Sequence, residues 1–245
     1  MTKRMMTSAV FAGLAAGLIA ALLHFAFVQK LILLSEDYET GRLTHFGGAA
    51  SLQDEAGHNH GGHNHSAQED GGDHHTTPSD LHRNGLTTLF MILVYTGYAL
   101  VLTAGFALSE HWGRKINPAA GLLWGIAGFA TFQLAPAMGL APDLPGTAAA
   151  DFSARQIWWL GTVLATGGGL ALLAFGQKWW AFALAGALLA APHVLGAPNL
   201  DGYFGMAPPE VAADFAVRVL GAGLLVWAVL GWIAAHFWAN AAQRN

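Results

Sequence analysis

Cysteine is absent from the 245 residues. That excludes disulfides, thiolate zinc sites and iron–sulfur clusters. Charge is scarce: Asp, Glu, Lys and Arg make up 11% of the chain, about half of what a soluble domain carries. No basic cluster is present and the net charge is −4, so a nucleic-acid partner is not expected. No GxxxxGK[ST] run occurs, so the chain does not hold ATP in a P-loop. No span carries the HxxxE motif of helical zinc permeases, and the absence of CxxCH argues against a covalently attached haem. Nothing in the motif content points to an enzyme or to an organic cofactor.

What is abundant is apolar sequence: 54% of residues are hydrophobic, and they fall in long runs. A hydrocarbon core of about 30 Å takes about twenty apolar residues in a helix. Six stretches approach that length: Met5–Val28, Gly85–Leu108, Ala119–Leu140, Gln156–Phe175, Trp179–Leu195 and Phe215–Trp238. The first is too long for a signal-peptide core and is read as an uncleaved span. The fifth is the shortest. A five-span alternative, with that segment re-entrant, stays open. The chain is thus expected to be an all-α membrane protein, one integral-membrane domain over residues 1–245, whose helices form three hairpins in contact with lipid.

Lys3, Arg4, Arg114, Lys115, Lys178 and Arg244 concentrate in short segments on one side. The positive-inside tendency makes that side cytoplasmic, with both termini, in a bacterial inner membrane. Tryptophans at 112, 158, 159, 179, 180 and 238 fall at span ends, as an interfacial belt would. GxxxG at Gly13–Gly17 and Gly121–Gly125 permits close helix approach.

The second and third hairpins carry an internal repeat. APAMGLAPDLPG from Ala135 is answered by APHVLGAPNLDG from Ala191, and AADFSAR (Ala149–Arg155) by AADFAVR (Ala212–Arg218). The order and the register agree, so the two hairpins read as copies of the same orientation. Pro136 and Pro192 each remove a backbone donor near the outer end of a span. Two readings follow. Either each helix ends there, with Asp151 and Asp214 capping the return helices and pairing with Arg155 and Arg218, or the two breaks line a binding vestibule.

Between the first two spans, residues 40–84 form a polar insertion, expected to be disordered and periplasmic. It contains His58, His60, His63, His65, His74 and His75 in HNHGGHNHSAQEDGGDHH. Imidazole pairs separated by glycine suit zinc, copper, nickel or cobalt without choosing among them. Within or beside the spans, His24 and His193 are further metal-ligand candidates. Gln133, Met138, Asp143, Asn199 and Asp201 are candidates for an ion pathway, all in the outer half of the bundle.

Three stretches carry a family likeness: FVQKLILLSEDYE (Phe27–Glu39), INPAAGLLWGIAGFATFQLAPAMGLAPDLPG (Ile116–Gly146) and RQIWWLGTVLAT (Arg155–Thr166). They resemble CbtA, the integral-membrane subunit of predicted cobalt transporters. The resemblance implies uptake of Co2+ for cobalamin synthesis, with Ni2+ and Zn2+ left open by the residues themselves. It also implies a small single-span, histidine-bearing CbtB-like companion, and it marks Tyr38–Glu39, Pro136 and Asp143 as family positions. On this reading the histidine-rich loop collects ions for a permease. An accessory protein or sensor that delivers ions to another transporter is the alternative.

Overall fold

A computed structural model describes residues 2–45, 78–202 and 204–243. The six clustered histidines of the polar insertion lie outside the described residues. What is described is helical, with a single isolated bridge between Thr147 and Gly205. In chain order the helices are α1 (Thr2–Leu23), a π turn (His24–Val28), α2 (Gln29–Glu39), α3 (Pro78–His111), α4 (Pro118–Phe129), a second π turn (Ala130–Leu134), α5 (Ala135–Ala137), α6 (Phe152–Phe175), α7 (Trp179–Leu195) and α8 (Pro209–Gln243).

Five helical stretches are long and apolar enough to cross a membrane: Thr2–Glu39, Leu81–His111, Pro118–Ala137, Phe152–Phe175 and Pro209–Ala241. The fifth anticipated span, Trp179–Leu195, is a helix over the anticipated residues, but it has only 17 of them. At 1.5 Å per residue it reaches about 26 Å, short of the hydrocarbon core. That is why length singles it out.

The packing follows membrane logic. On α1, Ser8, Ala9, Ala12, Gly13, Ala16, Gly17, Ala20 and Ala21 are buried, a helical stripe made wholly of small residues. Large apolar residues such as Leu22, Phe90, Leu123, Leu164 and Val217 point outward. Without water to drive association, helices in lipid gain from close backbone approach, which small residues allow. Both GxxxG motifs serve this. A Cβ on Gly13 or Gly17 would run into the backbone of Thr96 or Ile92 on α3; one on Gly121 or Gly125 would meet the backbone of Gly231 or Trp227 on α8. The core that these contacts enclose contains Phe106, Trp227, Leu230 and Trp238.

The helices pair across the sequence repeat. α4 packs along α8 and α6 along α7, whereas α7 and α8 make no contact. Under the register of the repeat, α4 corresponds to α7 and α6 to α8. The α4–α8 and α7–α6 pairs are therefore equivalent, and each copy packs more extensively on the other copy than within its own hairpin.

The two ends of the bundle differ. At one, Arg4 makes a two-pronged contact with Glu110, 3.0 Å to each carboxylate oxygen, and its Nε donates to the carbonyl of Trp238 at 2.8 Å. The Trp238 indole N–H returns to Glu110 at 2.8 Å. This knot ties α1, α3 and α8. Nearby, Trp112 packs on Phe175 at the end of α6. At the opposite end lie α2, α5, the start of α6, the end of α7 and the start of α8.

Candidate functional site

Both proline breaks are buried, and each is accommodated differently. Ahead of Pro136 the helix widens into the π turn Ala130–Leu134, so that the amide of Ala135 donates back to the carbonyl of Ala130. A π turn commonly absorbs such a break. Pro192 stays inside α7, and its carbonyl accepts from the backbone of Gly196 at 3.1 Å and from the indole N–H of Trp158 at 3.3 Å. The same indole covers Gly139 and leaves no room there for a Cβ. Trp158 is thereby wedged between the turn after Pro136 and the turn at Pro192.

The loops beyond the two breaks are joined. Thr147 bridges to Gly205, and the amide of Ala148 donates to the carbonyl of Phe204 at 3.0 Å. α2 braces the first loop: Ser35, fully buried, donates its hydroxyl to the carbonyl of Pro145 at 2.9 Å. Gly146, with φ 75°, packs against Glu39 and Met206. Its left-handed backbone suits glycine. Leu144 buries itself with Val28, Leu31 and Phe215 beneath.

These contacts frame an open vestibule of about 910 Å3. Its polar lining comes from both copies: Asp143, Arg155, His193 and Asn199, with the Met138 thioether beside them. Asp143 and Asn199 occupy equivalent positions in the repeat, a carboxylate in one copy and a carboxamide in the other. Arg155 donates from Nη2 to Asp143 Oδ2 at 2.6 Å. Asp151 caps α6, as anticipated, but is not the partner of Arg155. Its Oδ1 accepts from the amide of Ala154 at 3.0 Å and from the hydroxyl of Ser153 at 2.5 Å. The Ser153 hydroxyl, then the Ala154 amide, hold its carboxyl below the ordinary carboxylate range. Asp214 is no cap, because α8 begins earlier, at Pro209; it pairs with Arg218 at 2.7 Å.

The other anticipated residues fall elsewhere. Asp201 is exposed and outside the vestibule lining. His24 opens the first π turn, with its ring against Phe25, and does not line the vestibule. Gln133 lies within the second π turn, its side chain against Gly223 of α8, and its Oε1 is buried without a partner. No group of three or more His, Asp or Glu side chains comes together among the described residues. The vestibule thus offers dispersed donors, which suits an ion that keeps part of its hydration shell. Sequence reasoning missed Ser35 and the role of Trp158 as a joint; the repeat register, which places Pro192 opposite Pro136, was the available signal for the latter.

A family model described as probable cobalt transporter subunit (CbtA) matches residues 2–239. No curated protein matches the chain, and no solved structure does.

Proposed function

We propose, from the premise that the chain belongs to the CbtA family of probable cobalt transporter subunits, that it is the membrane-embedded subunit through which Co2+ enters a bacterial cell for cobalamin synthesis. The vestibule is its entry site. One observation carries this reading: the two repeat turns, far apart in sequence, converge on one cavity and bring to it a carboxylate, an imidazole, a carboxamide and a thioether. Mixed nitrogen and oxygen donors suit first-row divalent ions. Dispersed donors take over part of the hydration shell without trapping the ion, as passage requires.

In this reading Trp179–Leu195 completes six spans and the Arg4 end is cytoplasmic, as the distribution of basic residues favours. The vestibule then faces the periplasm. Glu39, which packs on Gly146, and Asn84, which accepts from Gln29 at 3.2 Å, flank the histidine-rich segment at the vestibule end. His58, His60, His63, His65, His74 and His75 gather ions for this entry site. Entry down a membrane potential gains about 2.3 kcal/mol per charge per 100 mV, twice that for a divalent ion.

A second reading has a specific observation behind it. Since no three ligands converge among the described residues, the chain gathers the ion and a small histidine-bearing CbtB-like companion completes the site. Uptake of radiolabelled Co2+, Ni2+ and Zn2+ into vesicles, with this chain alone and with the companion, decides between them. Flux with the chain alone establishes a permease. Flux only with both establishes a shared site, and none in either case refutes both readings.

A further inference from the structure

The repeat contains the same Asp–Arg pair twice and shows it in two arrangements. In AADFAVR, Arg218 turns back upon the carboxylate four residues earlier. Its Nε donates to Asp214 Oδ1 at 2.8 Å, and its Nη2 lies 2.7 Å from Oδ2. In AADFSAR, Arg155 turns away from Asp151 and reaches across to Asp143 at 2.6 Å. Asp151 uses only Oδ1 for its cap, with both Ser153 and Ala154 bonded to that oxygen, so Oδ2 is left to accept a further donor. Asp214 lies within α8, whereas Asp151 is the cap that precedes α6, so the two pairs differ in backbone geometry. Arg155 still stands one turn on from Asp151, its amide donating to the Asp151 carbonyl at 3.1 Å, and its long side chain can reach that carboxylate.

Asp143 is also the one acidic residue lining the vestibule among the described residues. With Arg155 upon it, the described lining of the entry site carries no net negative charge. A guanidinium on Asp143 Oδ2 opposes the approach of a divalent cation to the same carboxylate, because the two positive charges repel. The exchange is local, since both side chains are partly exposed, 28% for Arg155 and 39% for Asp143.

Resting on the reading of the vestibule as the metal entry site, we infer that Arg155 is a tethered cation that occupies Asp143 until a divalent ion displaces it, whereupon it moves to Asp151. The device selects by charge density: a compact divalent ion outcompetes a guanidinium for a carboxylate, whereas K+ or Na+ does not. Arg155 acts here as a positioning residue for the site, and Asp151 is the berth that lowers the cost of its departure.

The test uses the full-length chain with His58, His60, His63, His65, His74 and His75 replaced by alanine, titrated with Co2+ alone in detergent. Arg155→Gln should tighten Co2+ binding about two- to fivefold, the range of a partly exposed ion pair, and should let excess K+ compete. Asp151→Asn, which keeps Oδ1 for the cap, should weaken binding by a similar factor. In the double variant the effect of Asp151→Asn should vanish, because no guanidinium remains to be relocated. A purely structural role for Asp151 would leave its effect intact there. Equal affinity in Asp151→Asn and its parent, or weaker binding in Arg155→Gln, overturns the exchange. Asp143→Asn and His193→Ala distinguish the levels of failure: if neither changes Co2+ binding, the vestibule itself is not the metal site. If both reduce it while Arg155→Gln and Asp151→Asn do nothing, the exchange alone fails.

Discussion

The indole N–H of Trp158 donates to the carbonyl of Pro192 across 3.3 Å, from one copy of the repeat to the other. That carbonyl already accepts from Gly196, so the tryptophan adds a second donor at the point where α7 ends. The indole also fills the space above Gly139. One side chain thus fixes the spacing between the two turns that line the vestibule. Trp158→Phe keeps most of the ring and loses the donor. A net hydrogen bond is worth about 1 kcal/mol, which corresponds to a fall of about 2–4 °C in the thermal midpoint for a chain of this size. Gly139→Ala should be worse, since its new methyl would displace the ring itself. Thermal unfolding in detergent checks both, and equal midpoints for Gly139→Ala and the parent would dissociate the tryptophan from the joint.

Much of the helix layout was legible in the sequence because lipid imposes a simple demand: apolar runs of sufficient length with polar breaks between them. The small-residue stripe on α1 and the two GxxxG contacts followed from the same logic. The fifth anticipated span, α7, was legible in position, while its 17 residues leave length alone unable to rank it with the others. What sequence could not supply was the choice of partner. Arg155 has acids at both Asp143 and Asp151 within chain reach, and only the fold of the intervening loop over Leu144 decides for Asp143. Likewise His24 and Gln133 were recognisable as polar residues in apolar spans, but nothing in the sequence revealed that each would sit in a π turn and apart from the vestibule lining.

Asp143 and Asn199 provide a test that the repeat itself suggests. Removing the carboxylate by Asp143→Asn makes the two copies alike at this position and leaves no acid among the described residues of the vestibule lining. The cobalt concentration for half-maximal uptake should rise about tenfold, equivalent to about 1.4 kcal/mol of lost binding. Asn199→Asp adds a second carboxylate not already paired with Arg155, and should lower that concentration. Uptake measured in cells or vesicles over a range of Co2+ gives both values. Two variants with unchanged half-saturation would remove the vestibule from the pathway.

At the other end of the bundle, Arg4, Glu110 and Trp238 form a closed set in which each member contacts the other two. The Arg4 guanidinium also lies 4.1 Å from the Trp238 ring centroid. Hydrogen bonds to charged groups contribute about 1.5–3 kcal/mol each, and leaving one charge without its partner at a helix junction costs more than removing both. Glu110→Gln should therefore lower the thermal midpoint, and Arg4→Gln combined with Glu110→Gln should recover part of that loss. A double-mutant cycle in detergent measures the coupling. Strict additivity would mean the three helices are held by their apolar contacts alone.

The cap on α6 carries a pH signature. The Ser153 hydroxyl and the Ala154 amide favour the ionised form of Asp151, so its folded-state pKa lies below the ordinary value of 3.8. A carboxyl depressed in this way contributes stability that is complete above the unfolded pKa and is lost as pH falls through the folded one. Asp151→Ala should thus unfold more readily than the parent near neutral pH, and the gap should close in acid once the parent's carboxyl is protonated. Asp151→Asn, still able to cap through Oδ1, should show a smaller and pH-independent difference. Midpoints recorded from neutral pH down to about pH 2.5 separate these behaviours; a gap that stayed constant would show that ionisation of Asp151 has no part in the cap.

The histidine-rich segment makes a kinetic prediction that is independent of the vestibule. Tethered ligands raise the local ion concentration near an entry site in proportion to their occupancy, and they stop mattering once the bulk supply saturates that site. Replacing His58, His60, His63, His65, His74 and His75 should therefore raise the Co2+ concentration needed for half-maximal uptake while leaving the maximal rate unchanged. Neutral imidazole is the ligand, so the advantage of the parent chain should also shrink in acid, where protons compete with the ion. A lowered maximal rate would instead assign the histidines to a step after entry. Unchanged uptake at limiting cobalt would leave the segment with no part in collecting the ion.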